Sequence, residues 1–407
     1  MPAHRDPALA PPVIGSVWRG RAGTLPESLR ALVERFDARA LGAARAARIR
    51  LQVVEGGAWD AVVRGNELEF RVAEEHSVAD ATLTADRATW TAIAGDLRAG
   101  LEAFRDGSLI VRHNLHLAVG FLAATSGAAG PGRLQVDQVE TMRGRLSLLS
   151  AGDGVPVLLL HGLGATKGSF LPTLAALAPS FRTIALDLPG FGDSYKPLNA
   201  PYSAAYFARV VVDVLDALGL ERAHLVGNNL GGRVAIEVGL RHPERVRRLA
   251  LLAPALAWQR PRPWAALVRA LRPELGLVPM APRWAVEAIA HRLLPVAETP
   301  WVRAGVDEFL RAYRTPRGRV AFYAAARQMY LEAPDGASGF WTRLARLHPP
   351  ALFIWGRRDW LVPMDLASHV KHTLPPAQHL RLDCGHVPQM ERPAETHAAI
   401  AAFLGRS

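Results

Sequence analysis

The run Gly227-Asn228-Asn229-Leu230-Gly231-Gly232 follows the apolar, strand-like stretch Ala223-His224-Leu225-Val226. Its glycine spacing is that of a nucleophile elbow, a strained turn between strand and helix whose third residue presents a reactive side chain. Small residues must flank such a turn because the two segments nearly touch, and Gly227, Gly231 and Gly232 meet that demand. Asn229 stands where the nucleophile belongs. Its amide nitrogen is delocalised into the carbonyl and cannot attack as a hydroxyl or thiolate does.

The elements that must hold this turn follow from residue 134 onward. Strands are expected at Arg145 to Ser150, Val155 to Leu160, Thr183 to Leu186, Ala223 to Val226, Arg248 to Leu252, Ala351 to Trp355 and His379 to Leu382. Helices are expected at Ser203 to Leu218, Leu230 to Arg241 and Ala394 to Phe403. This alternation predicts an α/β fold with a mostly parallel sheet covered on both faces. Three other side chains could in principle attack, but Ser169 and Ser194 lie on other loops, and Cys384 reads as a small packing residue.

Several motifs here agree in order, and residues 134 to 407 resemble the α/β-hydrolase superfamily. His161-Gly162-Leu163-Gly164 ends a buried strand, like the turn that supplies half of an oxyanion hole. Asp187-Leu188-Pro189-Gly190-Phe191-Gly192-Asp193-Ser194 matches the loop beside the active site. Asp359 and His386 each stand just beyond a strand, in the order of the family's acid and base. The resemblance implies that Asp359 orients His386 and that the backbone N–H groups of Leu163 and Leu230 form the oxyanion hole. It also implies a helical cap over an apolar pocket at 254–345, dividing the core into 134–253 and 346–407. His161, Gly162, Trp258 and Tyr323 are expected to line the ligand site; neither metal nor cofactor is implied.

The first part of the chain is organised differently. Residues 1–24 read as a loose tail rich in Pro and Ala. A helix is expected from Pro26 to Leu41, with Leu29, Leu32, Val33 and Phe36 at helical spacing. Strands follow at Ile49 to Val54, Trp59 to Val63, Leu68 to Val72 and Ala81 to Ala85, then helices at Arg87 to Ala94 and Leu97 to Phe104. Gly107 to Val111 leads into an apolar helix from Leu115 to Ala124. On Asp80-Ala81 to Asp86, Ala94-Gly95-Asp96 with Ala103-Phe104, and Asp106 to Val111, residues 25–125 resemble the sterol-carrier-protein family. That resemblance implies a small α+β domain around a lipid tunnel; an ordinary packed core fits the same pattern. Residues 126–133, Ser-Gly-Ala-Ala-Gly-Pro-Gly and Arg, read as a linker.

Composition narrows the partners. The net charge of +11 comes from arginines scattered through amphipathic segments, with Lys167, Lys196 and Lys371 the only lysines. Without a dense basic cluster, nucleic acid is not expected as a partner. No stretch approaches the roughly 20 apolar residues that cross a bilayer, so stable membrane insertion is not expected. Met1 to Pro12 lacks a secretory pattern. A single cysteine excludes an internal disulfide framework, and together these point to the cytoplasm.

Three functional readings remain. The chain binds an apolar, ester- or lipid-like small molecule without serine-type turnover. Alternatively it is an active hydrolase, in which His386 and Asp359 activate water or Asn229 deamidates to a carboxylate nucleophile. Bulky Leu230 after Asn229 disfavours deamidation, which is easiest before glycine. In the third reading the fold is a non-catalytic interaction scaffold.

Overall fold

The structure, a computed structural model, describes residues 25–37, 41, 46–65, 67–74, 76–95, 97–125, 134–258, 265–270, 272–277, 282–295 and 299–406. The expected tail at 1–24 and linker at 126–133 lie outside the described residues. The N-terminal unit runs α1 (Glu27–Glu34), β1 (Ala46–Val53), β2 (Gly57–Arg64), β3 (Glu67–Val72), β4 (Ala81–Ala85), α2 (Arg87–Gly95), α3 (Leu97–Asp106), β5 (Ile110–Arg112) and α4 (Leu115–Ala124). Its strands form one sheet in the order β3-β2-β1-β4-β5. The β1–β4 pair is parallel and the rest are antiparallel. Two expected boundaries move. The first helix stops at Glu34, where the N–H groups of Arg35 and Phe36 close onto the carbonyls of Leu32 and Val33. β5 starts at Ile110 because Gly107, at φ 83°, turns the chain first.

The second sheet has eight strands in the order β13-β12-β11-β10-β8-β9-β7-β6. They are β6 (Gln135–Thr141), β7 (Gly144–Ala151), β8 (Val155–Leu160), β9 (Phe181–Leu186), β10 (Ala223–Asn228), β11 (Val246–Leu252), β12 (Ala351–Gly356) and β13 (Gln378–Leu382). From β8 through β13 the pairings are parallel; β6 and β7 form an antiparallel edge. The central parallel strands β8, β10 and β12 are buried on both faces over most of their length, which is why they read as continuous apolar runs. β6, absent from the expected set, buries only Val136 and Val139 and is held by its backbone ladder to β7.

Helices α5 (Leu171–Leu177), α6 (Ala204–Ala217) and α7 (Leu230–Arg241) cover the sheet. Between β11 and β12 come α8 (Ala265–Ala270), α9 (Arg283–Leu293), α10 (Thr299–Tyr313), α11 (Pro316–Tyr330) and α12 (Phe340–Leu344). Past β12 lie α13 (Met364–Thr373), α14 (Pro388–Glu391) and α15 (Pro393–Leu404). α4 is apolar all round and buried along its length, as a helix covered on every side must be. One apolar cluster runs from Leu29, Trp90 and Phe121 to Leu171, Leu174 and Phe403, joining the N-terminal unit to the second sheet.

Helix α10 is tied down at two points a turn apart. Asp307, only 6% exposed, accepts from Arg112 Nε at 2.6 Å and from the His113 N–H at 3.1 Å. Arg283 reaches the same carboxylate at 2.8 Å. Arg311 forks onto Asp193 in the loop after β9, at 2.9 and 3.1 Å. Replacing Asp307 with alanine strands three donors at once, with an expected loss of about 1–3 kcal/mol. A lowered urea midpoint, with faster amide exchange in α10 than in β8 to β11, is the expected result. An unchanged midpoint and unchanged α10 exchange would show that the clamp contributes nothing.

Candidate active site

β10 runs straight into α7, and the turn between them leaves no room for side chains. A Cβ on Gly227 would lie 2.3 Å from the Gly231 carbonyl carbon, and one on Gly231 would lie 1.9 Å from the Leu160 oxygen. The compression falls on Asn229, at φ 47° and ψ −108°, a backbone conformation that costs on the order of 1–3 kcal/mol for a residue other than glycine. Its neighbours hold it there. The Asn229 N–H donates to Leu252 O at 3.0 Å, and its carbonyl accepts from the N–H groups of Arg233 and Ala255. Gly231 N–H donates to His161 O, tying α7 to the end of β8.

The Asn229 side chain, in a residue 3% exposed, is bonded at both ends. Oδ1 accepts from the Leu163 N–H at 3.3 Å, and Nδ2 donates to the Tyr330 hydroxyl at 3.2 Å. The amide carbonyl thus occupies one of the two expected oxyanion donors. Leu230 opens α7, and helix geometry gives its N–H no intrahelical acceptor. The sequence suggested no partnership between Asn229 and Tyr330, which are 101 residues apart. Burial pushes the Tyr330 phenol up to about 12, so it stays protonated at neutral pH.

Asp359 and His386 meet as the motif order suggested. His386 Nδ1 lies 2.8 Å from Asp359 Oδ2, and the other carboxylate oxygen accepts from the N–H groups of Leu361 and Val362 at 2.8 and 3.0 Å. Facing a carboxylate, Nδ1 carries the proton and leaves Nε2 as the basic nitrogen. Asn228 locks this loop to the elbow, its Nδ2 donating to Leu252 O and His386 O at 3.0 and 3.1 Å. Asp359, His386 and the Leu163 turn are therefore brought together at the elbow that carries Asn229.

The remaining expected residues take different places. His161 has both ring nitrogens on backbone groups, Nδ1 2.8 Å from Gly162 O and Nε2 accepting from Leu188 N–H at 3.0 Å. It braces the oxyanion turn against the loop after β9. A Cβ on Gly162 would lie 3.4 Å from that of Asn229. Trp258 stacks on Tyr330 at 5.2 Å between centroids, over the amide's partner. Tyr323 is 3% exposed, with its hydroxyl 2.5 Å from that of Tyr313, inside an aromatic group with Phe309 and Phe322. A Cβ on Gly164 would lie 2.8 Å from Phe309, so this group presses directly on the oxyanion turn. Ser169, Ser194 and Cys384 are each otherwise engaged. Ser169 Oγ donates to Thr166 O, Ser194 Oγ donates to Asp187 O, and burial first of all pushes the Cys384 thiol up to about 12.

Next to the turn after β8 lies a buried charge network. Lys167 Nζ is 2.5 Å from Asp187 and 3.4 Å from Asp193, and His116 Nδ1 is 3.3 Å from Asp193. Asp187 also accepts from the N–H groups of Lys167 and Asp193 at 2.7 and 2.9 Å. Burial opposes the ionisation of Asp193, but its positive neighbours, His116 when protonated, Lys167 and Arg311, hold its carboxyl well below the usual range. Burial, with Lys167 next, pushes the His116 imidazole below its ordinary value. Asp187 stood in a recognised motif; Lys167 and His116 carried no pattern and are found only by position.

Residues 155–393 match the family model of the alpha/beta hydrolase fold. The chain is 30% identical over 283 residues to a 2-hydroxymuconate semialdehyde hydrolase of Pseudomonas sp. (strain CF600), covering 65% of this chain and 91% of that protein. It is also 30% identical over 262 residues to a 2-hydroxy-6-oxo-6-phenylhexa-2,4-dienoate hydrolase of Burkholderia cepacia, 61% of this chain and 86% of the relative. Among solved structures, a bacterial membrane phospholipase A aligns with 28% identity and a TM-score of 0.57, over 67% of this chain and 86% of that one.

The charge network sets an acid limit. Asp193 is ionised when folded at a pH where the unfolded chain, with a carboxyl near about 3.9, takes up a proton. Its stabilisation is therefore present above that value and is lost as pH falls. His116, with its folded pKa also lowered, adds to the loss in the same direction. Asp193→Asn should lower the urea midpoint at pH 7 and flatten its decline between about pH 5 and 3. A decline as steep as that of the unmodified protein would remove Asp193 from the account.

Proposed function

The chain belongs to the α/β-hydrolase family, and from its altered elbow we propose that it binds an apolar, ester- or lipid-like small molecule with serine-type hydrolysis absent or very weak. The observation that carries this reading is the Asn229 amide, which is not nucleophilic and holds the Leu163 N–H that would otherwise meet a developing oxyanion. Support for an apolar ligand comes from Trp258, Phe309 and Phe322 around the site. The relatives' names describe a dienoate and a semialdehyde, molecules with a carbonyl group for the remaining donor, the Leu230 N–H. A cytoplasmic location rests on the lone cysteine; among the described residues no helix is long and apolar enough to cross a membrane.

A second reading is favoured by one observation, the retained pair of His386 and Asp359 at 2.8 Å. That pair has the geometry to activate water directly, and deamidation of Asn229 would supply a carboxylate nucleophile. Short and long acyl esters distinguish the readings. The unmodified chain should show little turnover, and Asn229→Ser should raise it on the order of a hundredfold or more, within the roughly million-fold a serine hydrolase loses with its nucleophile. Robust turnover by the unmodified chain that survives Asn229→Ala would overturn the first reading. Peptide mass over Gly227 to Arg233 reports deamidation separately.

For the N-terminal unit the proposal is a sterol-carrier-like domain that presents a lipid to this site. Its support is the apolar helix α4; the opposing packed-core reading draws on Phe70, Trp90 and Phe121, all buried there. A photoreactive fatty acid should label peptides within 25–125 of the full chain. Labelling confined to 155–393, or none, would favour the packed core.

A further inference from the structure

Along α7 past the elbow lies a recess of about 500 Å³ whose lining includes none of Asn229, Asp359 or His386. It is lined by four arginines, Arg233, Arg241, Arg327 and Arg343, and two carboxylates, Glu237 and Glu332. The surplus is positive by two charges. The mouth also includes the start of α6, where Ser203 caps the helix with Ala204 and Ala205 next. A helix start adds N–H groups and a partial positive charge.

The carboxylates are fully committed to three of the arginines. Arg233 donates to Glu332 at 2.7 and 3.0 Å and to Glu237 at 2.9 Å. Arg343 bonds both of them, and Arg241 donates to Glu237 at 2.5 Å. Burial opposes ionisation of Glu237, but Arg233 and the hydrogen bonds from Arg343 and Arg241 hold its carboxyl down to about 2. Arg327 stands apart. Its guanidinium reaches only the carbonyls of Val268 and Arg269, and among the described residues it faces no carboxylate.

We propose that this recess is a binding site for a small anion, a phosphate or carboxylate group held by Arg327 and Arg241 over the Arg233 and Arg343 framework, in reach of the α6 N-terminus. An anion there would neutralise the surplus charge and give Arg327 the charged acceptor that it lacks, with a forked guanidinium suited to either oxyanion. The site adjoins the elbow mechanically. Arg327 lies on α11 one turn before Tyr330, whose hydroxyl holds the Asn229 amide, and Arg233 lies on the first turn of α7. Occupancy therefore bears on both helices that frame Asn229.

The test uses the full chain with inorganic phosphate and succinate, followed by calorimetric titration and thermal denaturation at constant ionic strength set with chloride. Saturable binding of at least one of the two anions is expected, weakened about tenfold or more in Arg327→Gln, a change that leaves the Arg233–Glu332 pair intact. Binding of phosphate alone identifies a phosphate-bearing ligand, and binding of both identifies the oxyanion charge as the recognised feature. Arg241→Gln, at the exposed rim, should weaken binding less, and far-UV circular dichroism should show both variants folded. No saturable binding of either anion, or binding that Arg327→Gln leaves unchanged, would overturn the proposal. An unfolded Arg327→Gln variant would shift the decision to Arg241→Gln, where unchanged affinity has the same meaning.

Discussion

The close approach of β8, β10 and α7 governs the rest of the molecule. With the Leu160 carbonyl, Gly227 and Gly231 too near one another to admit a methyl group, the residue between strand and helix is forced into a strained backbone and lifted clear of both. The backbone hydrogen bonds of Asn229 to Leu252, Arg233 and Ala255 make that strain tolerable by tying it to buried strand and helix ends. Nothing in this steric requirement refers to the side chain at the tip. The glycine contacts constrain the backbone of this residue and leave its side chain open.

The side chain's environment is not indifferent. An amide presents an acceptor and a donor together, and the site meets both, with the Leu163 N–H on one side and the Tyr330 hydroxyl on the other. Buried polar groups without partners are costly, so an asparagine left unmatched in a site 3% exposed would weaken the fold. Asn229 is instead integrated. His386 Nδ1 meets the Asp359 carboxylate at 2.8 Å beside it, and Asn228 ties the His386 loop to the elbow.

Much of this architecture was legible in the sequence because it rests on local patterns. β8 and α7 have the bounds expected from apolar runs and glycine punctuation, and Asp359 meets His386 because both follow strands of one sheet. Elements without such a pattern were missed. β6 is polar along most of its length and exists through its ladder to β7; α5 is only seven residues long. Long-range polar pairs left no trace at all. Tyr330 carries no motif within the expected cap, Lys167 stands out in the sequence only as one of three lysines, and the two backbone contacts of the His161 ring have no sequence signal.

The double attachment of α10 gives the molecule something like a lever. Asp307 fastens the helix to the N-terminal unit, Arg311 fastens it to the loop after β9, and Phe309 between them rests on Gly164. The N-terminal unit is thus linked through one helix to both the loop after β9 and the turn at Gly164. A unit far from Asn229 in sequence is thereby in an unbroken chain of contacts with the elbow's surroundings.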